Sequence, residues 1–333
     1  MRVFVLAATL ALLAAPGARA ADTRVRFAYV PVVGAAPLFV FTGAGWAKDA
    51  GLDIAPTRFD SGPPAISALA SGTIDALAIG IAPIAVARAK GLDVRIVSAV
   101  STGGSGFVAS PALAAALGSG VDVAGAFAAF HKTHGQAAKL ATLPPGGVPT
   151  ITLSHWLFKQ NNTARDDVRV SAMGIDAVQQ AVLSGAVDGG TVLEPALTIV
   201  LARDPKLKMT ATSNDMFPSI PGVVIAISGA FAKAHPDSVD AIVALTRRAS
   251  DFIVANPAEA ARYVQPVFGG GLVDQATLAK ALSSNALSFV ADPHSIEQPT
   301  KTMLDYQVEL GDFDKAPSTE GLFDFGPWSR LKP

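Results

Sequence analysis

The chain has 333 residues, half of them hydrophobic and few aromatic, with no cysteine and a formal net charge of −1 from 26 basic and 27 acidic residues. That length allows one large or two medium domains, and a nearly neutral chain lacks the basic footprint that nucleic acid or an anionic membrane requires. The missing cysteines exclude disulfides, thiolate metal centres and a cysteine nucleophile.

Residues 1–20 have the form of a secretory signal peptide. Arg2 supplies the positive start, 3–15 an apolar run too short to span a bilayer, and Ala18-Arg19-Ala20 a small-residue cleavage pattern. No cysteine follows for lipid attachment, so the expected location is free in the periplasm of a bacterium. Loss of Arg2 and Arg19 takes the formal charge of the remaining chain to −3. No later segment is apolar over eighteen residues, so no membrane span is expected beyond the leader.

From there the pattern alternates strands and helices. A strand is expected at 24–30, a loop at 31–37, an amphipathic helix at 38–50 and a second strand at 52–59. Ser61 is placed as a helix N-cap ahead of Pro63 and Pro64. Helical spacing of Ala65, Ile66 and Leu69 ends at Ser71-Gly72, and an apolar strand follows at 74–81. A short helix at 84–89 and a strand at 94–100 come next. The polar, glycine-rich 101–106 (STGGSG) is where a chain can pass between two lobes. Beyond it come a short strand at 107–110, a helix at 124–133, a strand near 139–142, a loop at 143–150 (LPPGGVPT) and a helix at 151–160. Strands are expected at 167–172, 187–193 and 206–213, a second crossing at 214–221, and a strand at 223–228. Helices follow from His235-Pro236 and Asn256-Pro257, with an irregular tail over 311–333.

Two stretches in this series say nearly the same thing. LASGTIDALAIGIAP at 69–83 and LSGAVDGGTVLEP at 183–195 each carry Ser-Gly-x-x-Asp, an apolar run and a proline at a turn. Each is the second half of a βαβ unit, so the fold class is α/β with two lobes. The expected division is lobe I at 24–102 plus 218–333 and lobe II at 103–217. Ligands bind beyond the carboxyl ends of strands in open α/β sheets, which points to the loops at Gly80-Ile81-Ala82-Pro83 and Glu194-Pro195.

An ordered set of residues extends this reading. Gly34-Ala35-Ala36-Pro37-Leu38, Gly45-Trp46, Gly51-Leu52, Ser61-Gly62, the two repeat copies, Gly91-Leu92, Pro145-Gly146-Gly147, Asp176, His235-Pro236 and Asn256-Pro257 run over almost the whole chain in family order. The chain resembles the periplasmic substrate-binding proteins of ABC importers of the nitrate/sulfonate/taurine type, which include carriers of thiamine precursors. The resemblance implies a type II periplasmic-binding fold with two lobes, two hinge crossings and one ligand in the cleft between them. It also implies a monomer with no cofactor and no catalytic set, delivering its ligand to a membrane permease and ATPase.

The residues expected to line the cleft are Gly34, Ala35, Ala36, Ser61, Gly62, Gly80, Ile81, Ala82, Ser101, Thr102, Ser105, Gly147, Val148, Thr150, Ile175, Asp176, Glu194 and Phe217. Arg58 reads as lying inside its strand, so no arginine or lysine is expected in the cleft. An anionic ligand would then be met by helix N-termini at Ala35, Ser61, Ile81, Val148 and Ile175, aided by serine and threonine hydroxyls. A sulfonate or carboxylate with an apolar part fits best. An amine-bearing, zwitterionic or heterocyclic ligand stays open, with Asp176 or Glu194 as its acceptor. Each acid also has a structural reading, Asp176 as a helix cap and Glu194 as a hinge brace.

Other signals are structural in this reading. Asp75 and Asp188 bond their own turns; His131 and His134 share a solvated face with no third metal ligand; Trp46 and Trp156 are core. Gly103-Gly104-Ser105-Gly106 lacks the spacing of a dinucleotide fingerprint or a nucleophile elbow, and Pro145-Gly146-Gly147 lacks the Lys-Ser/Thr ending of a P-loop. The enzyme reading, a thiamine-pyrimidine synthase, requires a cysteine-rich iron motif that this chain does not have.

Overall fold

The computed structural model describes residues 22–268 and 273–331, so the leader expected at 1–20 lies outside the described residues. Strands β1 (Thr23–Tyr29), β2 (Leu52–Arg58), β3 (Ala76–Gly80) and β4 (Val94–Ala99) build a first sheet, and β5 (Ser101–Gly103) lies in the first crossing. Strands β6 (Ser105–Ala109), β7 (Ala138–Thr142), β8 (Val168–Ala172), β9 (Gly189–Leu193) and β10 (Lys208–Thr212) build a second sheet. Then β11 (Val223–Ser228) returns to the first sheet and β12 (Leu287–Phe289) pairs with β5. The strand orders are β2-β1-β3-β11-β4 and β10-β6-β9-β7-β8.

Position in the sheet explains strand composition. Central β3 runs between β1 and β11, and its first four residues are buried, which is why it reads as one apolar run. Edge strand β2 carries exposed residues and Pro56, whose missing N–H an edge tolerates. The other edge of that sheet is covered by the tail: Ile96 N–H donates to the Leu322 carbonyl and Asp324 N–H to the Ile96 carbonyl, both at 2.8 Å. That cover removes an open row of strand donors and acceptors. Helix α1 (Ala36–Gly43) is buried from Ala36 through Phe41, because the helices Pro236–Ala255 and Pro257–Val264 close over it. The expected helix at 38–50 is in fact two pieces, broken where Gly45 turns left-handed before Trp46–Asp49.

The internal repeat has a common bonding scheme. Helices α2 (Gly62–Ala70) and, 113 positions later, the helix Ile175–Leu183 both stop at a Ser-Gly pair whose glycine is left-handed, with φ of 73° at Gly72 and 69° at Gly185. Contrary to the sequence expectation, the aspartates that follow do not bond their own turns. Arg26 N–H donates to the Asp75 carboxylate at 2.9 Å and Lys139 N–H to that of Asp188 at 2.8 Å, each across a separation of 49 residues. The aspartate therefore fastens the entry of β3 or β9 to the preceding parallel strand. The Arg26 side chain adds a bond to Asp75 at 2.8 Å, so the first copy is the stronger lock. Partial burial pushes the Asp75 carboxyl up, but the Arg26 hydrogen bonds and charge outweigh it and hold the group below its ordinary 3.8.

The two crossings between sheets run side by side. Gly222 N–H donates to the Ser101 carbonyl at 2.9 Å and Gly103 N–H to the Ile220 carbonyl at 3.1 Å. A Cβ on Gly222 would stand 2.9 Å from the carbonyl oxygens of both Ser101 and Gly103, so the two segments approach this closely only because that residue is glycine.

Candidate functional site

The carboxyl ends of β1, β3, β7 and β9 face one another across the gap between the sheets, and a cavity partly open to solvent lies between them. Its walls come from both sheets. Val30 and Val32 from the loop after β1, Gly80 at the end of β3, Pro83 in the helix that follows it, and Val223 of β11 form one side. Leu143, Gly147, Val148 and Pro149 after β7 and Leu193 of β9 form the other, and the crossings supply Ser101, Gly103, Gly104, Ser105 and Gly222. None of the wall residues carries a charge. The sheets approach closely here: a Cβ on Gly80 would meet Val148 Cγ2 at 3.2 Å.

Polar character comes from helix N-termini and hydroxyls. α2 begins at Gly62, α3 (Ile81–Ala89) follows Gly80 directly, and α4 (Val148–Ser154) follows Gly147, and none of the three has a side-chain cap. First-turn N–H groups have no intrahelical acceptor and carry the positive end of the helix dipole. Prolines 63, 64, 83 and 149 remove some of those donors and the Gly222 carbonyl takes Ile81 N–H, which leaves a site with few, directed N–H groups and apolar walls. Ser61 sits at the N-cap position the sequence assigns it, yet its hydroxyl does not bond the helix. Ser101 Oγ accepts from Val223 N–H at 3.1 Å, which leaves its own proton to donate.

A family model described as the NMT1-like family matches residues 18–267 of this chain. The chain belongs to the NMT1-like family. Among curated proteins it is 24% identical over 209 residues to a putative aliphatic sulfonates-binding protein of Bacillus subtilis, covering 61% of this chain and 58% of that relative's length. The periplasmic nitrate-binding protein of Synechocystis PCC 6803 superposes with a TM-score of 0.79 at 14% identity, covering 92% of this chain and 88% of that one. The alkanesulfonate-binding protein of Xanthomonas axonopodis pv. citri, solved with MOPS bound, superposes at 0.68 with 18% identity, covering 90% and 96%. The fold of this NMT1-like chain is therefore that of the periplasmic binding proteins of ABC importers, with two lobes joined by two crossings.

Of the residues that sequence reasoning proposes for the cleft, the structure brings Gly34, Ser61, Gly62, Gly80, Ser101, Ser105, Gly147 and Val148 to the cavity wall. The others lie elsewhere, each for a visible reason. Ala35, Ala36, Ile81 and Ala82 are buried in the packing of their helices, and Ile81 N–H is already given to the Gly222 carbonyl at 3.1 Å. Thr102 faces β12 in the β5 pairing, and the Thr150 hydroxyl bonds back to the carbonyls of Leu143 and Pro144.

Glu194 is 1% exposed and does not reach the cavity. Its carboxylate accepts from Thr198 N–H and Oγ1, both at 3.1 Å, and from Ser284. Its backbone takes Val33 N–H at 2.9 Å and gives its own N–H to Gly104 at 3.0 Å, tying both sheets to the first crossing. Burial pushes this carboxyl above its ordinary 4.5, only partly opposed by the hydrogen bonds from Ser284 and Thr198.

Phe217 also lies away from the cavity wall. It is 2% exposed within the second crossing, tilted against His155 at 4.2 Å and edge-on at 6.0 Å to Tyr306. Burial, with a smaller push from Glu309, raises the Tyr306 hydroxyl to about 12.

Arg58, Ile175 and Asp176 meet in a second, more polar space at the mouth of the cleft. Arg58 is the last residue of β2, within its strand as the sequence reading has it, and its side chain reaches across to Asp176 at 2.6 Å. Sequence reasoning also misses Val30, Val32, Leu143, Leu193 and Val223, whose only signal is adjacency to the strand ends. His131 is bonded to Asp167 at 2.8 Å, and no cluster of metal-ligating side chains occurs among the described residues.

Proposed function

We propose that this protein is the solute-binding component of an ABC importer, working in the periplasm after export and presenting its ligand to a membrane permease and ATPase. Lobe I (24–102 plus 218–333) and lobe II (103–217) close on the ligand as a monomer, through dihedral changes in the two crossings. The ligand is a small organic anion, a sulfonate or carboxylate with an apolar part. The observation that carries this is the cavity wall, which joins uncapped helix N-termini and serine hydroxyls to valine, leucine and proline without one charged side chain. A micromolar ligand needs about 8 kcal/mol of net binding free energy, within reach of a few N–H bonds and buried apolar area.

A neutral heterocycle is the second reading, favoured by the same uncharged wall. An amine-bearing ligand is disfavoured, because Asp176 is taken by Arg58 and Glu194 by Thr198. The test is a thermal-shift screen of the purified protein against alkanesulfonates, carboxylates, nitrate, taurine and pyrimidines. Ligand at a hundred times its Kd stabilises by about 2.7 kcal/mol. A shift confined to sulfonates or carboxylates supports the anion, and a shift confined to pyrimidines replaces it with the heterocycle.

A further inference from the structure

Arg58 is shared between two carboxylates through a single nitrogen. Its Nη2 stands 2.6 Å from Asp176 Oδ2 and 3.5 Å from Asp60 Oδ1. Asp60 follows Arg58 by two residues on the same side of the cleft, whereas Asp176 opens the helix Ile175–Leu183 on the opposite side. The mouth loops themselves nearly touch, since a Cβ on Gly174 would lie 4.0 Å from Asp60 Cβ. None of the three residues lines the inner cavity, and all three side chains are well exposed.

Opening the cleft must separate Arg58 from Asp176 but leaves Asp60 beside it. We propose that Arg58 is a positioning residue of ligand capture that exchanges carboxylates, held by Asp60 when the lobes are apart and by Asp176 when they close. The inference rests on the hinge-closure reading above. An exchanging guanidinium is never left without a partner, so closure is favoured only by the difference between a close pair and a looser one. For exposed ion pairs that difference changes the closed-to-open ratio by about 1.5- to 5-fold, and salt reduces it.

The exchange makes the two acids act in opposite directions, which a merely structural role for either would not do. The chain has no cysteine, so Ala70→Cys and Ala186→Cys, both at exposed positions, accept a pair of spin labels without side reactions. Pulsed dipolar spectroscopy of the unliganded protein then reads the distance between lobes. Asp176→Asn is expected to move the population to longer distances and Asp60→Asn to shorter ones, with both effects smaller in high salt. Shifts in the same direction overturn the exchange. So do unchanged distributions in both variants when Gly80→Val, which wedges against Val148, still lengthens the distance. If Gly80→Val also leaves the distance unchanged, it is the hinge-closure reading that fails, and the exchange falls with it.

Discussion

Gly80→Val is expected to weaken ligand binding while leaving the unliganded protein as stable as before. Gly80 ends β3 with φ −58° and ψ 144°, a conformation open to any residue, so the substitution brings no backbone strain. The only heavy atoms within 4 Å of an added Cβ are Val148 Cγ2 at 3.2 Å and Val148 Cβ at 3.9 Å, both across the cleft. A single methyl there demands a shift of a few tenths of an ångström, and valine adds two further methyls beside the same contact. Overpacking of this kind costs about 1–3 kcal/mol, which is felt only by the closed form and raises Kd roughly 5- to 150-fold. The assay is isothermal titration with the best ligand from the thermal-shift screen, alongside a melting curve without ligand. Val148→Ala in the same chain makes room opposite and should return most of the lost affinity, a coupling that a double-mutant cycle measures. An unchanged Kd in Gly80→Val, or no recovery on adding Val148→Ala, refutes the reasoning.

Two further outcomes follow from the framework around the cleft. Asp75→Ala is expected to lower stability by about 2–3 kcal/mol and Asp188→Ala by about 1–2 kcal/mol in chemical denaturation, since each leaves a strand N–H unbonded and only Asp75 also loses an arginine; equal losses would deny the difference between the repeat copies. Glu194→Gln tests the buried brace. A carboxyl raised above 4.5 in the folded state favours folding most while protonated, and that contribution is lost as pH rises through the raised value. The glutamine variant should therefore match the parent in melting temperature near pH 4 and gain on it as pH rises through the raised value, whereas a pH-independent difference would exclude ionisation as the cause.

What the sequence by itself determined was the architecture. A signal encoded in neighbouring residues survives in one dimension: apolar runs for central strands, Ser-Gly stops for helices, and a duplicated Ser-Gly-x-x-Asp that the structure turns into the same 49-residue lock twice. The glycines and serines at strand ends were legible for the same reason, because a loop after a parallel strand must point into the gap between lobes. Tertiary structure alone decided which face each residue shows. Ile81 and Ala82 sit one and two positions after Gly80 yet are turned into the core, since the helix that starts there rotates each side chain by roughly 100° from the last. Glu194 and Phe217 looked available for ligand because no local pattern tells that Thr198 and Ser284 occupy one, and His155 and Tyr306 enclose the other. Arg58 is the sharpest case. Its role depends on Asp176, 118 residues away, and only the approach of the two lobes brings that carboxylate within 2.6 Å.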